Sequence, residues 1–274
     1  MIEMSLADIQ KVSLDILKDV HNFCVKNNIK YTLFGGTLIG AIRHKGFIPW
    51  DDDIDIAMTR EEYDKFIHTF KSECGYELFS RETGQDVYLA FSRVCEMEKT
   101  FVDSSKVRWV DKPTGVWIDV FPIDGAESAY EAALKQHNYI YKIWKTGTYW
   151  RKSQDSFNLR VNTLKHNIGI LVYRFLLLFV REKDYFDKHI MLCKQIPFSN
   201  SIMFSNLSFM AYGIKEYGNS ECFSNYILTS FEDCQFYIIS GYDKALRDKY
   251  GDYMKLPPEK NRISKHDFNK YYWK

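Results

Sequence analysis

The residues best suited to chemistry are four aspartates within five consecutive positions: Asp51, Asp52, Asp53 and Asp55. Apolar residues flank and interrupt this group, which predicts a strand over Ile48–Met58. Alternate side chains of a strand share a face, so Asp53 and Asp55 would have α-carbons about 6.6 Å apart. Two carboxylates at this spacing can bind one divalent ion, which offsets the repulsion between their charges. We therefore predict Asp53 and Asp55 as catalytic ligands of Mg²⁺ or Mn²⁺.

The acidic group has two other interpretations. A solvated loop would explain the charges but not their alternation with apolar residues. A calcium-binding loop would be acidic at its positions 1, 3, 5 and 12, which here are Asp51, Asp53, Asp55 and Glu62. Its sixth position requires glycine and is Ile56, which argues against it. We expect Asp51 and Asp52 to shape the beginning of the strand or to pair with Arg43 and Lys45.

A glycine pair lies just before the acidic group. Gly35 and Gly36 separate a predicted strand, Tyr31–Phe34, from a predicted helix, Thr37–Arg43, which begins at Thr37. Free amides at the beginning of a helix favour anions, and glycine lets a phosphate approach the main chain. No P-loop and no dinucleotide fingerprint is present in the sequence. We predict that Gly35, Gly36 and Thr37 bind phosphate.

Asp119 repeats the acidic pattern on another predicted strand, Gly115–Phe121. Its neighbours Ile118 and Val120 would face the core, which leaves Asp119 on the opposite face. An isolated acidic residue on a strand can be a simple edge position. We predict instead that Asp119 is catalytic and supplies a third metal ligand.

Basic residues that could contact phosphate are Arg43, His44, Lys45, Arg93, Arg262 and His266. A solvated surface charge is the alternative for Arg43, His44 and Lys45. For Arg93 the alternative is a salt bridge to a core carboxylate. Arg262 and His266 belong to a basic C-terminal tail that could close over a bound ligand, or could simply lie on the surface.

Local patterns predict the elements that must position these residues. An amphipathic helix spans Ser5 to Lys26, and Ser5 with Asp8 forms a capping box. Thr59 and Glu62 predict a second capping box at the beginning of another helix. Further strands are predicted over Tyr76–Phe79 and Tyr88–Met97. The whole is an α+β fold with a mixed-sheet core, an N-terminal helix and a helical, aromatic-rich C-terminal half.

Composition narrows the class of protein. The 274 residues include 37 Lys and Arg against 36 Asp and Glu, so the net charge of +1 does not indicate a nucleic-acid partner. The six cysteines lack metal-site spacing. The first residues do not resemble a cleaved signal, and we expect a cytoplasmic protein.

We divide the chain into a catalytic core, residues 1–126, and an acceptor- and donor-binding region, residues 127–274.

An apolar run covers Ile168–Val180, 13 residues interrupted by Arg174. A helix needs about 20 residues to span a bilayer, so this run is too short. We predict a buried core helix. The alternative is an interfacial helix flanked by basic residues, with peripheral contact at the inner face of the membrane.

Three blocks resemble the LicD family, whose wider relatives include the fukutin group. The first runs from Gly35 to Asp55, the second from Ile118 to Asp124, and the third is Tyr250–Met254 with Pro257 and Pro258. The resemblance implies a nucleotidyltransferase-like fold of the polymerase-beta kind. It also implies transfer of a phospho-alcohol from a CDP-alcohol donor, CDP-choline being favoured, to a glycan acceptor or its lipid-linked precursor.

If the alcohol is choline, its quaternary ammonium should lie against aromatic faces. Aromatic residues near the predicted site in sequence are Trp50, Trp109, Trp117 and Tyr88.

Two other functions are compatible with the acidic residues of the predicted site. One is nucleotidyl transfer from an NTP to a small alcohol, and the other is a non-catalytic module of a polysaccharide assembly complex.

Overall fold

A computed structural model describes residues 1–104, 109–153, 168–169, 171–172, 175, 182–210, 212–263 and 269–274. Within these ranges the α-helices are α1 (Leu6–Lys26), α2 (Gly35–Arg43), α3 (Arg60–Thr69), α4 (Tyr130–Ser153), α5 (Glu182–Cys193) and α6 (Tyr242–Tyr250). The strands are β1 (Ile2–Glu3), β2 (Thr32–Leu33), β3 (Asp55–Thr59), β4 (Glu77–Phe79), β5 (Ser92–Cys95), β6 (Thr100–Ser104), β7 (Trp117–Ala126), β8 (Met203–Ser205), β9 (Tyr217–Asn219), β10 (Tyr226–Phe231), β11 (Cys234–Ile239) and β12 (Asn269–Trp273).

The central sheet is mixed and has the strand order β2-β3-β7-β5-β4. Strands β3 and β7 are parallel, whereas the other neighbours in this order are antiparallel. The C-terminal part of β7 also pairs with β8, which in turn pairs with β9. A second sheet has the order β1-β12-β6, and β10 and β11 form a hairpin. The predicted α+β class is confirmed, while the division at residue 126 stays a prediction.

Helix α1 lies against the central sheet and follows its predicted pattern. Ile16, Leu17 and Val20 are fully buried in the main core. The capping box is confirmed, because the Ser5 side chain accepts a hydrogen bond from the Asp8 amide and the Asp8 carboxylate accepts one from the Ser5 amide. Local sequence therefore determined both the position and the beginning of this helix.

The predicted strand Ile48–Met58 is wrong over Ile48–Ile54, since β3 begins only at Asp55. A turn at Pro49 and Trp50 breaks the extended chain, and the Asp51 amide donates to the Ile48 carbonyl oxygen at 2.9 Å. Asp51 and Asp53 consequently lie in the loop before β3. They do not share a strand face with Asp55.

One helix cap and the bounds of two strands also differ from the predictions. Helix α3 does begin after Thr59, but no side chain caps it, and Glu62 accepts instead from the Lys30 amide at 3.2 Å. The strand predicted over Tyr88–Met97 is limited to β5. Strand β7 continues past Phe121 to Ala126, because β8 provides hydrogen-bonding partners for its last three residues.

The apolar run Ile168–Val180 is described only at residues 168, 169, 171, 172 and 175. Its described large apolar side chains are exposed: Ile168, Leu171, Val172 and Phe175. The prediction of a buried core helix is wrong for these residues, and the remainder of the run lies outside the described residues. Among the helices that the structure describes, none is long and apolar enough to cross a bilayer. The interfacial alternative stays a prediction.

Candidate active site

A cavity of about 910 Å³ opens beside the central sheet, where the beginning of α2, the loop before β3, and strands β5 and β7 meet. Of the residues predicted for the site, those that line it are Gly35, Gly36, Arg43, Asp53, Asp55, Arg93 and Asp119. Asp51 and Asp52 line it as well. The structure thus gathers residues from three separate sequence segments around one space.

The register of three adjacent strands produces a row of charged side chains. Asp55 on β3 pairs with Asp119 on β7, and Asp119 pairs with Arg93 on β5. Neighbouring strands lie about 4.8 Å apart, so residues in register present their side chains together on one face. Two carboxylates and one guanidinium therefore form a continuous line across the wall of the cavity.

Arg93 holds Asp119 in a fixed orientation. Its Nε donates to Asp119 Oδ1 at 2.6 Å, and its Nη2 donates to Oδ2 at 3.3 Å. The guanidinium lies over the rings of Trp109 and Trp117, 4.7 and 4.4 Å from their centroids. The alternative considered for Arg93, a salt bridge to a carboxylate, is what the structure contains, and its role toward phosphate stays a prediction.

The pKa of Asp55 in the cavity wall is strongly perturbed. Burial raises its pKa well above the ordinary value, and the charges of Asp53, Asp119 and Asp51 raise it further. The positive charge of Lys249 acts in the opposite direction. A half-buried carboxylate surrounded by others is a candidate functional group, because its ionised form requires compensation by a cation.

The donor set fits a hard divalent cation such as Mg²⁺ or Mn²⁺. Asp53, Asp55 and Asp119 offer carboxylate oxygens, which are the ligands that these ions prefer. The carboxylates of Asp51, Asp52 and Asp53 also bring one oxygen each within 4.8 Å of the others. The predicted ligands Asp53, Asp55 and Asp119 stay predictions. Asp53 belongs to both groups, and the loop adds the oxygens of Asp51 and Asp52 beside it.

Gly35 and Gly36 allow carboxylates to approach the beginning of α2. Gly35 has a φ of +54°, and a Cβ there would lie 2.7 Å from Asp55 Oδ2. A Cβ on Gly36 would lie 2.7 Å from Asp51 Oδ2. The partial positive charge of the helix N-terminus thus faces the acidic group. Binding of phosphate at the same amides stays a prediction.

Thr37 supports the beginning of β3. Its hydroxyl accepts a hydrogen bond from the Asp55 amide at 2.8 Å, and the residue is buried. Thr37 is not part of the cavity lining. The structure therefore gives this hydroxyl a partner in the main chain of a candidate ligand, and direct contact with phosphate stays a prediction.

The basic residues divide into two groups. Arg43 lines the cavity and is anchored there, because its Nη1 donates to the Tyr253 carbonyl oxygen at 2.6 Å and its Nε donates to His44 Nε2 at 2.9 Å. Burial, and then the charge of Arg43, lower the pKa of His44. His44 and the exposed Lys45 are not in the lining.

The C-terminal basic residues are only partly described. Arg262 donates from Nε to the Pro257 carbonyl oxygen at 2.9 Å, and its guanidinium lies 5.9 Å from the centre of the Trp50 ring. It is not in the lining, although its neighbour Ile263 is. His266 lies outside the described residues. Contacts of Arg262 and His266 with a ligand stay predictions.

Lys249 is a cavity residue that the sequence prediction missed. Its Nζ donates to the buried Glu216 at 2.7 Å and lies 4.8, 4.6 and 5.3 Å from the ring centres of Phe34, Tyr212 and Tyr250. The only signal in the sequence was its position next to the third family-like block, which begins at Tyr250.

The aromatic residues predicted to surround a quaternary ammonium already face arginines. Arg93 lies over Trp109 and Trp117, as described above, and Arg262 lies over Trp50. Tyr88 is outside the cavity lining, with Arg151 4.1 Å from the centre of its ring. Phenylalanines that the sequence prediction missed also line the cavity: Phe34, Phe91, Phe121 and Phe209.

Comparison with known proteins identifies clear relatives. Residues 28–144 match the family model described as the LicD/FKTN/FKRP nucleotidyltransferase domain. The chain is 31% identical over 278 residues to the lipopolysaccharide cholinephosphotransferase LicD of Haemophilus influenzae, with 96% of this chain and 97% of the relative covered. An uncharacterized protein of Rickettsia typhi is 44% identical over 66 residues, which cover 23% of this chain and 21% of that protein.

Proposed function

This chain belongs to the LicD family, and from this we propose that it transfers phosphocholine from CDP-choline to a hydroxyl of a cell-surface polysaccharide or its lipid-linked precursor, releasing CMP. The relative from Haemophilus influenzae, a lipopolysaccharide cholinephosphotransferase by name, aligns with nearly the whole chain. This coverage supports a common reaction, and lipopolysaccharide is the first acceptor to test.

The single observation that carries the proposal is the row Asp55–Asp119–Arg93 in the cavity wall. Transfer of a phosphoryl group requires positioning and compensation of charge more than it requires covalent chemistry by the protein. Adjacent carboxylates supply the ligands for a divalent ion, and the guanidinium supplies a fixed positive charge. Both are present on one face of one sheet.

We assign Asp53, Asp55 and Asp119 to hold Mg²⁺ or Mn²⁺, which when bound would compensate the charge of the diphosphate and of the leaving CMP. Arg43 and the first amides of α2 bind phosphate oxygens in this proposal. Asp119 accepts the proton of the attacking hydroxyl, with its orientation kept by Arg93. The new bond joins the hydroxyl oxygen to the phosphorus that carries choline, and the bond from that phosphorus to CMP breaks.

The test is incubation of the purified protein with Mg²⁺ and each of four donors: CDP-choline, CDP-ethanolamine, CDP-glycerol and CDP-ribitol. We expect CMP release to be fastest with CDP-choline and to increase when lipopolysaccharide acceptor is added. EDTA should abolish release. The absence of CMP from every donor, with and without acceptor, would contradict the proposal.

Nucleotidyl transfer from an NTP is the second candidate, because the family model that matches residues 28–144 is described as a nucleotidyltransferase domain. The same carboxylates would serve this reaction, but the small product would differ. Incubation with CTP or ATP and a small alcohol would then release pyrophosphate. Pyrophosphate without CMP would favour this second function over the first.

We also propose where in the cell the reaction takes place. A lipid-linked acceptor would bring the protein to the inner face of the membrane from the cytoplasm, and the exposed apolar residues between 168 and 175 offer a surface for such contact. Retention of the protein on anionic vesicles in a flotation assay would support peripheral association. Absence from the floating fraction would contradict it.

A further inference from the structure

We propose that Phe209, supported by Phe91 and Phe121, forms the subsite that binds the trimethylammonium group of the donor and so selects choline. This inference rests on the proposed function, because it assigns the alcohol end of a phosphocholine donor. It concerns the aromatic part of the cavity wall, which lies beside the carboxylate row and includes Phe91, whose ring centre is 5.6 Å from the Arg93 guanidinium.

The three phenylalanines form one continuous aromatic surface. The ring centroids of Phe91 and Phe121 are 4.5 Å apart, and that of Phe209 is 6.1 Å from Phe91 and 6.0 Å from Phe121. Phe91 and Phe121 are buried, whereas 36% of the Phe209 surface remains exposed in the cavity wall. The ring of Phe209 is therefore the accessible one, and Phe91 and Phe121 pack against it.

This surface lies next to the carboxylate row. Phe121 follows Asp119 by two residues on β7, so both side chains point to the same face of the sheet. In phosphocholine a two-carbon linker separates the phosphate from the ammonium. A phosphate held near Asp119 would therefore bring the methyl groups of choline against the neighbouring aromatic wall.

The other aromatic faces near the cavity are already used by cations of the protein. Arginines lie over Trp50, Trp109 and Trp117, and Lys249 lies among Phe34, Tyr212 and Tyr250. Within the ranges that the structure describes, no Lys or Arg lies over the ring of Phe121 or Phe209. Arg93 lies 5.6 Å from the centre of the Phe91 ring, and Phe121 is buried. Of the three rings, the partly exposed Phe209 is therefore the one available to a cation supplied by the substrate.

The chemistry of the wall favours a quaternary ammonium over a polyol. Aromatic faces attract cations, and the attraction increases when water is excluded. Leu89 and the three phenylalanines offer no hydrogen-bonding side chain to a hydroxyl. The hydroxyls of glycerol or ribitol would lose their bonds to water there without replacement. A primary ammonium, as in ethanolamine, is more strongly hydrated and would gain less than a trimethylated one.

The experiment compares CDP-choline with CDP-ethanolamine as donors for wild type, Phe209→Leu and Phe209→Trp, measured as CMP release with Mg²⁺. Leucine keeps an apolar side chain but removes the aromatic face. We expect Phe209→Leu to raise KM for CDP-choline about 3- to 30-fold with little change in kcat, and to raise KM for CDP-ethanolamine less. Phe209→Trp should stay within about threefold of wild type, because tryptophan retains the aromatic face.

The matched control is Tyr139→Ala, which removes an exposed aromatic ring outside the cavity lining and should change neither KM. Thermal unfolding of each variant verifies that it is folded. If wild type turns over CDP-choline but Phe209→Leu keeps the wild-type ratio of the two KM values, the subsite is wrong while the proposed function stands. If wild type releases no CMP from CDP-choline, the proposed function fails and the subsite fails with it.

Discussion

Asp55 occupies a position where burial and the neighbouring carboxylates oppose its ionisation. Its pKa is raised well above the ordinary value by burial, and then by Asp53, Asp119 and Asp51. An acid with a raised folded-state pKa favours folding at low pH, and this contribution is lost as pH rises through its folded pKa. The ionised form is the one that binds a divalent cation. Such a conflict between stability and binding is typical of functional sites.

Replacing Asp55 by Asn separates these two effects. We expect Asp55→Asn to lower CMP release by more than about 100-fold, because the variant lacks a charged oxygen ligand. In EDTA at pH 7 its Tm should equal or exceed that of wild type, since the variant cannot carry a charge at this half-buried position among other carboxylates. CMP assays and thermal unfolding measure the two effects. Turnover close to wild type would contradict the role of Asp55.

Substitution of Lys249 tests how a neighbouring positive charge affects the pKa of Asp55. Its charge lowers the pKa of Asp55, so Lys249→Met should raise that pKa further. If ionised Asp55 is required, the acidic limb of the kcat/KM profile should move to higher pH. Lys249→Arg, which keeps the charge, is the control. An unchanged acidic limb in folded Lys249→Met would contradict this assignment.

The loss of Lys249 also leaves Glu216 buried without its partner. Removing one member of a buried ion pair typically destabilises a protein by about 3–5 kcal/mol. The double variant Lys249→Met/Glu216→Gln avoids this uncompensated charge. It should show the same shift of the acidic limb with a smaller loss in Tm, which separates the electrostatic effect from misfolding.

At the scale of elements, the junction of α2 with β3 decides the shape of the site. The positive φ of Gly35 lets the chain pass from β2 into α2 while Asp55 lies against the first turn. Thr37 then fixes the first residue of β3 through its hydroxyl. The two contacts explain the glycine at position 35 and the threonine at position 37, independently of any bound phosphate.

Gly35→Ala should disrupt this junction. A Cβ would lie 2.7 Å from Asp55 Oδ2 and would also face an unfavourable left-handed backbone. We expect a loss of activity on the order of 100-fold, because a displaced carboxylate misplaces the reacting groups. The stability loss should be about 1–2 kcal/mol.

Gly84→Ala is the matched control for this substitution. Gly84 also has a positive φ, +85°, but a Cβ there would contact nothing within 4 Å. Its stability loss should be similar while CMP release stays at the wild-type rate. A comparable loss of activity in both variants would mean that backbone strain, and not the contact with Asp55, is responsible.

At the scale of the whole molecule, an ionic network with a buried centre at Arg60 and Asp124 joins distant segments of the chain. Arg60 on α3 donates to both carboxylate oxygens of Asp124 on β7, at 2.6 and 2.9 Å, and to Glu82 at 2.9 Å. Lys194, just after α5, donates to Glu82 at 2.9 Å and pairs with Asp64 at 2.9 Å. The network thereby connects the central sheet to the region after residue 127.

Arg60→Met measures how much this network contributes. It leaves the fully buried Asp124 without its bidentate partner, so we expect a loss of about 3–5 kcal/mol in the free energy of unfolding. Denaturant unfolding is the measurement. The double variant Arg60→Met/Asp124→Leu should recover part of the loss. A single variant as stable as wild type would mean that the network is not a major source of stability.

Local patterns were sufficient for several elements and insufficient for others. The capping box and apolar periodicity located α1 because both depend on residues within a few positions of each other. The strand predicted over Ile48–Met58 failed at its beginning, since alternation alone does not reveal the turn at Pro49 and Trp50. The capping box predicted for Thr59 failed because Glu62 found a partner in another segment, the Lys30 amide.

The sequence by itself determined the chemistry available to this protein: a dense group of carboxylates, a glycine pair at the beginning of a helix, and blocks typical of the LicD family. The tertiary structure alone decided which groups meet. The contacts of Arg93 with Asp119, of Lys249 with Glu216 and of Phe209 with Phe121 join residues 26 to 88 positions apart. Strand register and the packing of distant segments set such contacts, and neither is encoded in local periodicity.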